Sequence, residues 1–284
     1  MPKIEPIDPR WMLEEPQVQR LNEQYPSLWN DPTKKCLTCM FEGKQDQAKT
    51  FLWWNRERTE VVEWECDCTS QWALHRYLLA HGIGKLYQRL SWADAEDVPE
   101  ATQMATLEYL EDWRWRVERG VNLIFHSKDA GTGKTLMLML LAKGLLSRGC
   151  DMVVVQMNQL VEMYSAGWKS ADALAWFEYM IMNCASLGID DLGKERSSSE
   201  AAMGMVQKLL DRVVRHRAAH GLPTHITSNF EPDQLLSGYG GYVMSLLTET
   251  CTFVPTSGID FRPRSNSRMS LEIEQRLSRP LVMA

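Results

Sequence analysis

Lys134 and Thr135 close the run Ser127-Lys128-Asp129-Ala130-Gly131-Thr132-Gly133-Lys134-Thr135-Leu136, which follows an apolar strand-like stretch and leads into a helix-forming one. Glycines at 131 and 133 let the backbone curl so that successive N–H groups face an oxyanion, and the positive end of the following helix adds to the attraction. In that setting Lys134 reaches the β- and γ-phosphates of a nucleotide and the Thr135 hydroxyl ligates Mg²⁺. The expected nucleotide-binding residues are Ala130, Gly131, Thr132, Gly133, Lys134, Thr135 and Leu136. The usual motif opens with glycine where this chain has Lys128. A left-handed backbone there would strain the lysine by roughly 1–2 kcal/mol. A glycine-rich turn that binds nothing is the competing reading.

A second run, Ser186-Leu187-Gly188-Ile189-Asp190-Asp191-Leu192-Gly193, is an apolar strand ending in two carboxylates, and Asp190 lies 55 residues after Thr135. Asp190 is expected to hold Mg²⁺, directly or through water, and Asp191 to polarise the attacking water. Asp191 is shorter than the glutamate common at that position, which points to slow hydrolysis. A third strand, His225-Ile226-Thr227-Ser228-Asn229, ends in a polar tip. If it lies beside the strand of Asp190, Asn229 reaches the γ-phosphate or the water; otherwise it is an ordinary turn before Pro232.

A different chemistry is suggested near the start. Cys36-Leu37-Thr38-Cys39 and Cys66-Asp67-Cys68 flank a predicted hairpin. Four thiolates at two such knuckles fill a tetrahedral Zn²⁺ site, which would be structural. Four unrelated thiols are the alternative. Cys150, Cys184 and Cys251 are expected as small core residues. Trp53, Trp54, Trp64 and Trp72 crowd the same module and either fill its core or offer a stacking platform. Arg212, Arg215, His216 and Arg217 end a predicted helix, where cations complement the helix dipole.

These residues need elements to hold them. The chain has 284 residues, 44% apolar and 24% charged, with 31 Lys and Arg against 37 Asp and Glu, a formal charge of −6. Such a composition excludes a mainly disordered chain and a wholly basic nucleic-acid binder. No apolar run approaches the ~20 residues needed to span a bilayer, and the N-terminus lacks an apolar signal core, so a cytoplasmic protein is expected. Residues 1–35 are proline-rich, with a helix expected only around Gln17–Tyr25. Helices are predicted over Gln71–Ala80, ending at Gly82, and over Met104–Arg119, ending at Gly120. Beyond these, strands are predicted at Val121–His126, Met152–Gln156, Ala185–Asp190, His225–Ser228 and Cys251–Pro255. Helices at Lys134–Leu146, Val161–Met182 (whole or broken) and Ser198–Arg217 alternate with them. That alternation means a parallel sheet flanked by helices. The expected organisation is a zinc-binding domain over 1–95 and an α/β ATPase domain over 96–284.

Gly131-Thr132-Gly133-Lys134-Thr135, Ile189-Asp190-Asp191-Leu192-Gly193 and Thr227-Ser228-Asn229 together resemble the nucleotide site of the DnaC/DnaI/IstB-type AAA+ ATPases, and most of all the helicase loaders, phage-encoded ones included. The resemblance spans roughly residues 80–262. It implies an ASCE P-loop sheet preceded by a zinc-ribbon-like module that contacts the helicase, with ATP or ADP, Mg²⁺ and Zn²⁺ as cofactors. It also implies Asn229 as sensor 1 and Arg262, in Gly258-Ile259-Asp260-Phe261-Arg262, as sensor 2. Where the group carries a trans-acting arginine this chain has Ser245-Leu246, so either Arg264 or Arg268 substitutes or stimulation of hydrolysis from subunit to subunit is weak. The implied role is an ATP-dependent loader. It would bind a DnaB-type hexameric replicative helicase, self-associate with ATP and deliver the helicase onto single-stranded DNA, in a host's cytoplasm if phage-encoded. The alternatives are an IstB-like transposition regulator and a nucleotide-dependent adaptor with negligible turnover.

Overall fold

The computed structural model describes residues 11, 13–24, 50–54, 61–65, 68–193, 200–239, 241–275 and 279–284. The chain forms two compact units, one of Met1–Asp94 with Arg262–Ala284, the other of Ala95–Phe261. The sequence reading put the last 23 residues with the second domain; here they complete the first unit.

In the first unit, helix α1 (Glu15–Gln24) precedes a hairpin of β1 (Thr50–Trp54) and β2 (Val61–Glu65), paired antiparallel with Thr50 opposite Glu65. This hairpin lies between the two cysteine knuckles, as expected. Helix α2 (Cys68–Ala80) stops at Gly82, whose φ of 79° suits the left-handed helix end, and Ile83 N–H returns to Leu78 O. A short α3 (Lys85–Gln88) and a 3₁₀ turn (Trp92–Ala95) follow.

In the second unit, the helix expected over Met104–Arg119 is two helices, α4 (Glu100–Glu111) and α5 (Trp113–Glu118). The buried stripe of α4 (Thr102, Thr106, Tyr109 and Leu110) ends there, and no residue of α5 is buried. Nothing therefore drives one helix to continue through Asp112. Strand β3 (Asn122–His126) leads to α6 (Lys134–Ser147), β4 (Met152–Gln156), α7 (Met157–Gly167) and α8 (Ala171–Phe177). A π-helical turn, Glu178–Met182, precedes β5 (Ser186–Leu192). The expected Val161–Met182 helix is thus broken, and Ser170 caps α8 by accepting Ala173 N–H. Next come α9 (Glu200–Ala219), β6 (Thr224–Ser228), α10 (Pro232–Tyr239), α11 (Gly241–Thr250) and β7 (Cys251–Pro255). Helix α12 (Arg262–Glu274) belongs to the first unit.

The five strands β3–β7 form one parallel sheet in the order β4-β5-β6-β3-β7. From β3 the chain leaves for the far edge and works back, so the carboxyl ends of all five strands share one edge. Helix α6 is apolar on nearly all sides, and every residue from Met137 to Leu146 is buried, as a central helix must be. Leu187, Ile189, Leu209, Leu210, Val213 and Ile226 pack the core between sheet and α9. No helix among the described residues is long and apolar enough to cross a membrane.

Candidate nucleotide site

The loop between β3 and α6 takes the bend that its glycines permit. Gly131 has φ 77° and Gly133, the residue capping α6, has φ 92°. Both positions are also crowded. A Cβ on Gly131 would stand 1.8 Å from Asp260 Oδ1, and one on Gly133 would stand 2.6 Å from Val98 Cγ2. The segment carrying Asp260 is tied to the loop by Phe261 N–H to Gly131 O, 3.1 Å, and to the end of β3 by Thr256 N–H to His126 O, 2.9 Å. Asp191 is the one non-glycine residue with positive φ among those described. Lys128 therefore avoids the strain that a left-handed backbone would impose.

Lys134 is buried and its ammonium donates back into the loop, to Asp129 O at 2.7 Å, Ser127 O at 3.3 Å and Thr132 Oγ1 at 3.3 Å. A cation held on carbonyl and hydroxyl oxygens at a helix N-terminus is poised to exchange them for phosphate oxygens.

Across from it, the Thr135 hydroxyl donates to Asp190 Oδ1 at 3.0 Å. Asp190 is only 2% exposed. A hydroxyl and a buried carboxylate converging beside the glycine loop fit a hard, oxygen-loving dication bound with a nucleotide. Asp191, half-buried with φ 61°, follows at a break in strand register. Ile189 faces Ile226 and Leu192 faces Ser228, so Asp190 and Asp191 together oppose the single residue Thr227. This is a β-bulge, a device common beside active sites. Asn229 directly follows β6, the neighbour of β5, and so lies at the same sheet edge as Asp190.

Thr227 is the residue that sequence reasoning missed as a participant. Its hydroxyl donates to Asp190 Oδ1 at 2.6 Å and accepts Asp191 N–H at 2.9 Å. The available signal was a hydroxyl two residues before the polar tip of a strand expected beside the Asp-Asp strand.

Arg262 opens α12 in the first unit and is exposed, as is Arg264; Arg268 pairs with Asp94 at 3.4 Å within that unit. Cys36, Cys39 and Cys66 lie outside the described residues, and Cys68 begins α2. No group of three or more His, Cys, Asp or Glu arranged for a metal occurs among the described residues. Burial pushes the Cys184 thiol up to about 11 and those of Cys150 and Cys251 up to about 12. All three stay protonated at neutral pH and suit neither metal binding nor nucleophilic chemistry.

Arg217 is not a solvated helix-end cation. It is fully buried, with Nη1 on Ile181 O at 2.9 Å and Cys184 O at 3.0 Å, Nη2 on Pro223 O at 2.8 Å, and Nε on Thr224 Oγ1 at 3.0 Å. Arg212 and Arg215 are engaged by Glu178 and Asp211.

A glycine-cradled lysine, a threonine–aspartate pair and a β4-β5-β6-β3-β7 parallel sheet make a P-loop α/β fold of the kind seen in solved DnaI and DnaC structures. In sequence the chain is similar to the replicative helicase loader DnaI of Bacillus subtilis (strain 168), 25% identical over 162 residues, or 56% of this chain. The match spans 48% of that relative, so about half its length is represented. In structure the chain is similar to the DnaC helicase loader (TM-score 0.52, 20% identity, 61% of this chain and 99% of that one). It is also similar to a DnaI crystal structure (TM-score 0.50, 21% identity, 63% of this chain and 94% of that one). Domain III of the Thermotoga maritima replication initiation protein DnaA gives a TM-score of 0.51 at 20% identity, over 67% of this chain and 75% of that one. No family model matches the chain.

Proposed function

We propose that this protein is an ATP-dependent loader of a DnaB-type hexameric replicative helicase onto single-stranded DNA. The observation carrying the nucleotide part is the Thr135–Asp190–Thr227 junction set beside the Lys134 loop. The similarity to DnaI supports the loader part. Lys134 binds the β- and γ-phosphates, and backbone N–H groups from Ala130 to Leu136 line the cradle. Thr135 and Asp190 would hold Mg²⁺, which supplies charge neutralisation at the phosphate oxygens. Asp191 accepts the proton of the attacking water. Asn229 reads the γ-phosphate as sensor 1. The protein self-associates with ATP bound and works in the cytoplasm. The cysteines at 36, 39, 66 and 68 bind a structural Zn²⁺ in the part that holds the helicase.

The short Asp191, held in a left-handed backbone at a bulge, favours slow turnover. ATP then acts more as a switch than as fuel. The full chain is mixed with a DnaB-type hexamer with and without ATP, and the mass of the eluting assembly is measured. Co-elution and nucleotide-dependent transfer of the helicase to single-stranded circles are expected. Absence of a complex in every nucleotide state overturns the loader role, and an ATP-dependent filament on duplex DNA without helicase binding would favour a transposition regulator. Zinc is checked by metal analysis of the same sample, with one equivalent expected.

A further inference from the structure

We infer that Thr227 is a positioning residue for the nucleotide-bound Mg²⁺ site: its hydroxyl aims the Asp190 carboxylate at Thr135 and fixes the turn that presents Asp191.

The bulge sets two β5 residues against one β6 residue, which normally leaves ladder groups unpaired. Here one of those groups, Asp191 N–H, is taken by a side chain, Thr227 Oγ1, at 2.9 Å. The same oxygen has one proton to give, and it goes to Asp190 Oδ1 at 2.6 Å. The hydroxyl therefore bridges the two neighbouring aspartates and fixes its own polarity: acceptor from residue 191, donor to residue 190. The Asp190 oxygen that receives it also receives the Thr135 hydroxyl at 3.0 Å. A carboxylate oxygen holding two hydroxyl donors cannot rotate without losing one of them, and hydrogen bonds to a charged acceptor are the stronger kind. Partners of this sort behind a metal-holding carboxylate set its orientation.

The next residue completes the lock from the adjoining position. Ser228 Oγ donates to Leu192 O at 2.8 Å and accepts Phe230 N–H at 3.1 Å. Consecutive hydroxyls on β6 thus hold β5 at the bulge and at the residue just after it, and Asn229 follows immediately. The Thr227 hydroxyl thus couples the end of β6, which Asn229 follows, to Asp190 and Asp191.

The inference rests on the nucleotide reading proposed above but not on the loader role. The test is the Mg²⁺ dependence of binding of a fluorescent ADP analogue to the full chain. Thr227→Val keeps the side chain's shape and removes the hydroxyl. The Mg²⁺ concentration giving half-maximal tightening should rise about 10- to 100-fold. Affinity for the analogue in excess chelator, which depends on Lys134 and the loop, should change less than about twofold. Thr227→Ser should restore the wild-type Mg²⁺ response to within about threefold. In an Asp190→Asn background Thr227→Val should shift the Mg²⁺ response no further, because the two act through one carboxylate. An unchanged Mg²⁺ response in Thr227→Val, an equal loss with and without Mg²⁺, or no rescue by serine overturns the inference. If the valine variant does not fold, Thr227→Ala takes its place with the same expectations. Absence of analogue binding by the wild-type chain both in chelator and at saturating Mg²⁺ would instead overturn the nucleotide reading itself.

Discussion

The two edges of the parallel sheet both bury polar groups, and they satisfy them in opposite ways. At the carboxyl edge, Lys134, Thr135, Asp190 and Thr227 bond to a loop, to one another and to hydroxyls. A lysine can trade loop oxygens for phosphate oxygens, and a threonine hydroxyl can swing toward a cation. At the amino edge the partners are mostly fixed main-chain atoms. Arg217 spends its guanidinium on the carbonyls of Ile181, Cys184 and Pro223, joining the π-helical turn and the start of β5 to the end of α9 and the entry to β6. Asn122 Oδ1 accepts Thr224 N–H, and His225 Nδ1 accepts Leu123 N–H at 3.0 Å. A buried polar cluster can therefore be a socket or a rivet. The difference lies in whether its partners are exchangeable, since burial is equally deep at Asp190 and Arg217.

That contrast predicts which property each edge loses when cut. Replacing Arg217 with Met should cost about 3 kcal/mol or more, because several buried carbonyls lose their donor at once. Urea unfolding should show the loss, and nucleotide affinity of the fraction still folded should be nearly unchanged. Lys134→Ala should do the reverse. Nucleotide affinity should fall roughly 100-fold, equivalent to about 2.7 kcal/mol, while the urea midpoint moves little. If Lys134→Ala unfolds the protein, or Arg217→Met abolishes binding without destabilising it, the distinction between the edges fails.

The smallest expected effect is a pH slope. Burial, reinforced by Arg217, pushes His225 down from 6.5 to about 3. Between those values the unfolded chain binds a proton that the folded chain refuses, so stability is whole above about pH 6.5 and falls as pH drops through the window. The slope from this one group is about 1.4 kcal/mol per pH unit. Urea midpoints at pH 7 and pH 5 should diverge by correspondingly less in His225→Phe than in wild type. Equal divergence in both would show that the ring already titrates near its ordinary value in the fold.

The socket was far more legible in the sequence than the rivet. The Gly-Thr-Gly-Lys-Thr turn works through contiguous backbone, so its residues had to be neighbours in the chain, and alternating strands and helices announced the sheet. Thr227 and Arg217 matter only through strand register and through the direction a side chain takes. A bulge between Ile189 and Leu192, which decides what Thr227 faces, leaves no mark in a single strand's pattern. At the end of α9, Arg212, Arg215 and Arg217 are one residue type, yet two meet carboxylates at the surface and one is fully buried. The break at Asp112 was hidden for a related reason. Trp113 and Trp115 continue an apolar-looking helix pattern, but Trp115 is 55% exposed and no residue of α5 is buried.

The first unit is stitched from both sides of the chain. Asp94 accepts from Arg268 and Arg279, Arg89 donates to Arg279 O, and Gln71 pairs with the backbone of Leu281. A ribosome makes residues 1–94 first and must then produce the whole of Ala95–Phe261 before releasing the strip that completes them. The second unit can therefore finish folding while the first is still waiting for its last piece, so that completion need not follow the order of the units along the chain.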